Sequence, residues 1–169
     1  MILAIDPGNE QSTWVIIDEE TYKPLLFAKE ANREVYEKVW RFANDGEKPK
    51  LVIEMVSHYG TGMPAGESVF DTCVWIGKFI SQWEGVSEEE ETVIKRQTIK
   101  AHLCGSTRAK DSNVIQALVD RFAKGQPNYG KGTKANPGWF YGFSADIWQA
   151  YALGVTYLDT RGDKTCTTL

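Results

Sequence analysis

Three apolar or β-branched runs stand near the start of the chain, and the connections between them are too short for a parallel crossover. Ile2 to Ile5 ends at Asp6-Pro7-Gly8, Thr13 to Ile17 ends at Asp18, and Pro24 to Ala28 follows a polar turn at Glu19 to Lys23. Parallel pairing needs roughly a dozen or more connecting residues, so these runs predict an antiparallel meander. The hydrophobic period then changes. Val35, Val39 and Phe42, with Tyr36 and Trp40 beside them, recur at helical spacing and stop at Asn44-Asp45-Gly46. Leu51 to Ile53 reads as a fourth strand running into Glu54. A Gly- and Pro-containing loop over Ser57 to Ser68 leads to a helix whose apolar face is Val69, Cys73, Ile76, Ile80 and Trp83, and Thr92 to Ile94 reads as a fifth strand.

Two further helices complete the pattern. Asp111 or Ser112 is placed to cap one, with Val114, Ile115, Leu118 and Phe122 facing inward; Ser144 is placed to cap the last, with Ile147, Ala150, Tyr151, Gly154 and Val155 packing inward. The order β-β-β-α-β-α-β-α-α predicts a three-layer α/β domain: a mixed five-stranded sheet, a meander extended by parallel strands, flanked by helices. With 169 residues, 42% of them hydrophobic, the chain supports one core rather than two. A single domain over residues 1–159 is expected, with 160–169 as a flexible tail. The irregular segment Gly125 to Phe143 is long for a compact domain, which marks it as functional or disordered.

No stretch approaches the roughly 20 apolar residues needed to span a bilayer, and no basic segment precedes an apolar one at the N-terminus, so a soluble cytoplasmic protein is expected. Cys73, Cys104 and Cys166 form no CxxC pair and lie near no pair of histidines, which supports neither a disulfide framework nor a zinc site; Cys73 reads as a small core residue. The net charge of −4 argues against a nucleic-acid partner until its distribution is considered. From Lys95 to Lys134 nine basic residues face two acidic ones, Asp111 and Asp120, a local charge of +7 that leaves −11 elsewhere. Such polarity fits an acidic catalytic face beside a cationic platform for phosphates, although solvated helix and loop faces also produce it.

Three acids stand where propensity does not favour them. Asp6 ends the first strand, and Glu54 interrupts the run from Leu51 to Val56. Removing a carboxylate from water without a partner costs several kcal/mol, so Glu54 implies a metal, a cation or hydrogen bonds. Asp146 lies in the first turn of the last helix, with Gln149 one turn further along the same face. If strands one and four are neighbours and this helix crosses their ends, the three acids meet at one rim of the sheet. Hard oxygen ligands suit Mg²⁺ or Mn²⁺, and an open site can hold two ions about 3.5–4 Å apart, one activating water and one stabilising the leaving oxygen. Each acid alone has a plainer role: Asp6 in a turn, Asp146 favoured by the helix dipole, Glu54 turned to solvent from an edge strand.

The residues ILAIDPGNEQSTWVIID, LVIEMV and SADIWQAYALG, with the basic stretch Gly105 to Lys110, resemble the RuvC family of Holliday-junction resolvases, in the divergent form carried by bacteriophages. The resemblance spans most of the chain and implies an RNase H-like fold. It further implies that Asp6, Glu54 and Asp146 are catalytic metal ligands for two Mg²⁺ ions, replaceable by Mn²⁺. The chain departs from the family at Gln149, where a second ligand is usual in the final helix; a neutral amide can serve only in an outer or weaker role. Also implied are a four-way DNA junction or other branched DNA as substrate, cut in paired nicks, and a homodimer whose two sites are related by a two-fold axis. Ser68 to Trp83 is the interface candidate. Tyr59 and Met63 occupy the loop that commonly enters the junction centre. Lys100, Arg108, Lys110, Lys131 and Lys134 are the candidate phosphate contacts, Arg108 and Lys110 foremost because they precede a helix N-terminus. A phage-encoded protein of this kind would act in the host cytoplasm.

Other readings share some of these features. RNase H and the RuvC-like nucleases that trim ribosomal RNA precursors use similar carboxylates on the same fold. The sugar-kinase/actin ATPases also begin strand, Asp-x-Gly, strand, but need two such domains and give Glu54 no purpose. A non-catalytic DNA-binding module could retain the fold.

Overall fold

The structure, a computed structural model, describes residues 1–46, 48–56, 66–87 and 91–161. Its meander is β1 (Ile2–Asp6), β2 (Gln11–Ile17) and β3 (Pro24–Ala31), followed by α1 (Asn32–Ala43) and β4 (Lys50–Met55). Then come α2 (Glu67–Glu84), β5 (Thr92–Lys95), α3 (Arg96–Cys104), α4 (Asp111–Phe122) and α5 (Ala145–Thr160). The strands lie in the order β3-β2-β1-β4-β5. β1 and β2, and β2 and β3, pair antiparallel, whereas β4 pairs parallel with both β1 and β5. The expected mixed sheet and the adjacency of strands one and four are both present.

The strand period of two divides the core. Leu3, Ile5, Leu51 and Ile53 turn toward α1 and α2, where Val35, Val39, Ile76, Phe79 and Trp83 close one layer. Ile2, Ala4, Val15, Ile17 and Val52 turn the other way, onto α5 with α3 and α4 beside it. Helix α5 is buried around most of its circumference, and its closest approach to the sheet depends on Gly154. A Cβ there would come within 2.3 Å of Ile17 Cδ1 and 3.2 Å of Ala4 Cβ. The turn after β1 has a similar requirement at Gly8, where a Cβ would stand 2.4 Å from the Gln11 carbonyl oxygen. Buried Asn32 fixes that turn by donating to the Gly8 carbonyl and accepting from the Ser12 hydroxyl.

Several expectations need correction. Helix α3 was not anticipated: its only buried residue is Ile99, so it lacks an apolar stripe that would announce it. Helix α2 buries Thr72, Ile76, Phe79 and Trp83, while Cys73 is exposed rather than in the core. Lys110, not Asp111 or Ser112, is the N-cap of α4, its N–H donating to Asn113 Oδ1. Ser144 does occupy the N-cap of α5, but its hydroxyl makes no capping bond. The segment 125–143 is anchored rather than loose: Phe140 and Phe143 are buried against Trp148 and Tyr151, and Trp139 stacks on Phe122 at 5.2 Å. Helix α5 continues to Thr160, and Arg161 beyond it pairs with Glu19.

Candidate active site

Alternation places the first two acids together. Ile5 lies beside Ile53 in the parallel β1–β4 ladder, so Asp6 and Glu54 follow side by side at the strand ends. Both share the parity of Ala4 and Val52, which face the α5 layer. Asp146, in the first turn of α5, reaches the same rim: Asp6 and Asp146 line a cleft of about 360 Å³ with Pro7, Gly8, Asn9, Glu10, Gln11, Thr13 and Lys29. Glu54 does not line that cleft. It lies deeper, 7% exposed, beside Asp6.

Cations contact the oxygens of Glu54, Asp111 and Asp146. Arg96, first residue of α3, places one nitrogen, Nη1, between the two Glu54 carboxylate oxygens, at 3.1 and 3.0 Å. Its Nη2 donates to Asp111 at 3.2 Å, and Lys100 Nζ stands 3.1 Å from the other Asp111 oxygen. Lys29 donates to Asp146 at 2.6 Å. Register explains its presence: Asp6, Thr13 and Lys29 are successive partners across β1, β2 and β3. Arg96, Asp111 and Lys29 were not picked out from the sequence as site residues. The available signals were an acid directly after Lys110 in a basic stretch, and an arginine directly after the fifth strand.

The electrostatics separate these acids. Burial, with Asp6 adding like charge, pushes Glu54 up to about 8 against the pull of Arg96. Burial likewise raises Asp6 to about 6, Arg96 opposing and Asp146 and Asp111 adding to the rise. Burial also works to raise Asp111, but Lys100 and Arg96 outweigh it and hold it low. Carboxylates in such a state have a deficit of positive charge. As the side chains stand, no three His, Cys, Asp or Glu among the described residues are gathered into a metal-holding group.

The other candidates are scattered. Gln149 is 7% exposed, and its amide has no hydrogen-bond partner among the described residues. Lys100 belongs to the Asp111 pair instead of standing free. Arg108, Lys110 and Lys134 are exposed and Lys131 half-buried, and none of the four has an ion pair among the described residues. Tyr59 and Met63 lie outside the described residues. No described helix is long and apolar enough to cross a membrane.

The five-stranded mixed sheet, in this strand order and flanked by helix layers, is an RNase H-like fold. In particular, the chain has the fold of the Thermus thermophilus RuvC structure, which it matches at a TM-score of 0.70 with 99% of each chain covered and 12% sequence identity. T. thermophilus RuvC in complex with Holliday junction substrate matches at a TM-score of 0.66 and 12% identity, covering 99% of this chain and 98% of that one. No family model and no curated protein matches the sequence.

Proposed function

We propose that this chain is a divalent-metal-dependent endonuclease that resolves four-way DNA junctions, and other branched DNA, by paired nicks. The observation that carries the reading is half-buried Asp6 beside buried Glu54 at adjacent strand ends, with Asp146 on the same cleft as Asp6. Two adjacent acids, one buried and one half-buried, are costly unless positive charge answers them, and Arg96, with Lys29 near Asp6, leaves both above the ordinary carboxylate range. Their oxygen-only chemistry fits Mg²⁺ or Mn²⁺, and the unpartnered Gln149 amide fits an outer position. Asp6, Glu54 and Asp146 would hold the metal. When bound, it would supply an activated water and offset charge on the phosphate under attack.

The chain's own residues contribute position and substrate binding. The Asn32–Ser12–Gly8 hydrogen bonds fix the turn that sets Asp6. Arg108 and Lys110, in the turn before α4, and Lys131 and Lys134, in the aromatic-anchored segment, carry unpaired charge suited to phosphates. Dimerisation through α2 is supported by its outer face, where Phe70 and Val74 are 62% and 55% exposed beside exposed Cys73 and Gly77.

Incubating a labelled four-way junction with the protein, in Mg²⁺ or in EDTA, tests the reading. Symmetric nicks in Mg²⁺ alone, lost in Asp6→Asn, are expected. Uncut junctions beside a cleaved RNA–DNA hybrid or single-stranded RNA would replace it with a ribonuclease; no cleavage of any of these would leave a binding module.

A further inference from the structure

Glu54 is the most enclosed of the site acids, yet both its oxygens are already engaged by Arg96. A carboxylate whose two oxygens share one guanidinium nitrogen cannot offer the same lone pairs to a metal, so one cation must give way to the other. Arg96 has somewhere to go. Its second nitrogen is on Asp111, whose other oxygen is tied to Lys100, and Asp111 is half exposed where Glu54 is buried.

We infer that Arg96 is a positioning residue that stands in for the metal at Glu54 and yields the carboxylate when a divalent ion binds, remaining tethered through Asp111. The inference rests on the metal-nuclease reading of the site. The physical logic is a competition for one carboxylate. In the metal-free protein Arg96 keeps Glu54 aligned beside Asp6, because a buried Glu54 with no counter-ion beside a second acid would relax outward or take up a proton. A doubly charged ion at that place repels the guanidinium and outbids it for Glu54. Asp111 lowers the cost of the exchange by retaining one of the arginine's two contacts. Asp111 stands in the first turn of α4, where the helix dipole also favours an acid, and is held low by Lys100 and Arg96.

Coupling of this kind is reciprocal, so removing the competitor must tighten metal binding. Titration with Mn²⁺ at pH 8, read by the loss of free-ion paramagnetic signal, tests it on the intact chain. Arg96→Met should bind Mn²⁺ on the order of tenfold more tightly than the original protein, a size typical of coupling between sites. Arg96→Lys, which keeps the charge but loses the second nitrogen that reaches Asp111, should fall between the two and serves if the methionine variant does not fold. Asp111→Asn should bind several-fold more weakly, because Arg96 then has only Glu54 to hold, and should have no effect once Arg96 is already methionine. Unchanged or weaker Mn²⁺ binding in both Arg96 variants would overturn the inference, leaving Arg96 a structural pin. An equal loss from Asp111→Asn in both backgrounds would also overturn it, making Asp111 a ligand. If the original protein binds Mn²⁺ and cuts junctions while the variants do not shift, the inference alone fails; if it binds no Mn²⁺, the metal reading fails with it.

Discussion

Helix α5 carries Asp146 in its first turn and Asp159 in its last, about 20 Å apart along the axis, and the two mark polar clusters built on opposite principles. At the far end one acid is surrounded by donors. Asp159 accepts from Arg121 at 2.6 and 2.9 Å and from the Tyr22 hydroxyl at 3.0 Å, with His102 Nε2 at 2.8 Å. Burial works to raise it, but Arg121 and His102 outweigh burial and hold it below its ordinary value. That cluster joins α3, α4, α5 and the turn before β3, and it offsets an acid at the helix end where the dipole disfavours one. At the near end four acids, Asp6, Glu54, Asp111 and Asp146, share three cations, and Asp6 and Glu54 rise instead. Saturation with donors serves the fold. A shortage of positive charge, maintained at a rim where the sheet and α5 meet, leaves room for a metal.

The comparison breaks if the two clusters respond alike to mutation. The largest effect is expected at Glu54. Glu54→Gln should lower single-turnover junction cleavage by roughly a thousandfold, or about 4 kcal/mol of barrier, without lowering the thermal midpoint at pH 7. Asp159→Asn should do the reverse. Losing charge-assisted hydrogen bonds there should reduce unfolding free energy by about 2 kcal/mol in denaturant titration, with cleavage per folded molecule unchanged. A stability loss in Glu54→Gln equal to that in Asp159→Asn would make both clusters structural.

A pH profile sharpens the contrast. Glu54 and Asp6 have raised values in the fold, so the metal-free protein binds more protons than the unfolded chain across that interval. Their contribution to stability is present at acid pH and is lost as pH rises from the ordinary carboxylate range through about 6 and about 8. Asp159 has the opposite sign: its contribution is present above its ordinary value and is lost as pH falls through its lowered one. Thermal midpoints in EDTA should therefore decline on the alkaline side, and Glu54→Gln should flatten the upper part of that decline. A profile unchanged by Glu54→Gln contradicts the assignment.

The smallest effects concern surface charges. Lys29→Ala breaks a half-exposed pair with Asp146 and should cost under about 1 kcal/mol of stability. Arg108→Ala or Lys110→Ala should weaken junction binding and reduce the slope of log affinity against log salt by about one. An unchanged slope removes that residue from the DNA contacts.

The parts legible in the sequence were those written in hydrophobic period. The meander, the parallel strands, α1, α4 and α5 each carry an apolar stripe or run, and Asp6 and Glu54 stood out because they end or interrupt one. Helix α3 was hidden because it buries little more than Ile99, and its Arg96 and Lys100 read only as basic residues. Asp111 read as a helix cap, a local role, when its partners come from the preceding helix. Lys29 needed the β2–β3 register to bring it to Asp146. Cys73 looked internal because a helical stripe was placed one position off, while Thr72 and Phe79 point to the core. Pairings across elements, and the faces of helices apolar on two sides, are set by tertiary packing that no local pattern encodes.

The most direct measurement is anomalous scattering from crystals of the protein grown with Mn²⁺. The account predicts manganese bound by Asp6, Glu54 and Asp146, with Arg96 withdrawn from Glu54 onto Asp111. Crystals in which manganese is absent from these acids, with Arg96 still on Glu54, would contradict it.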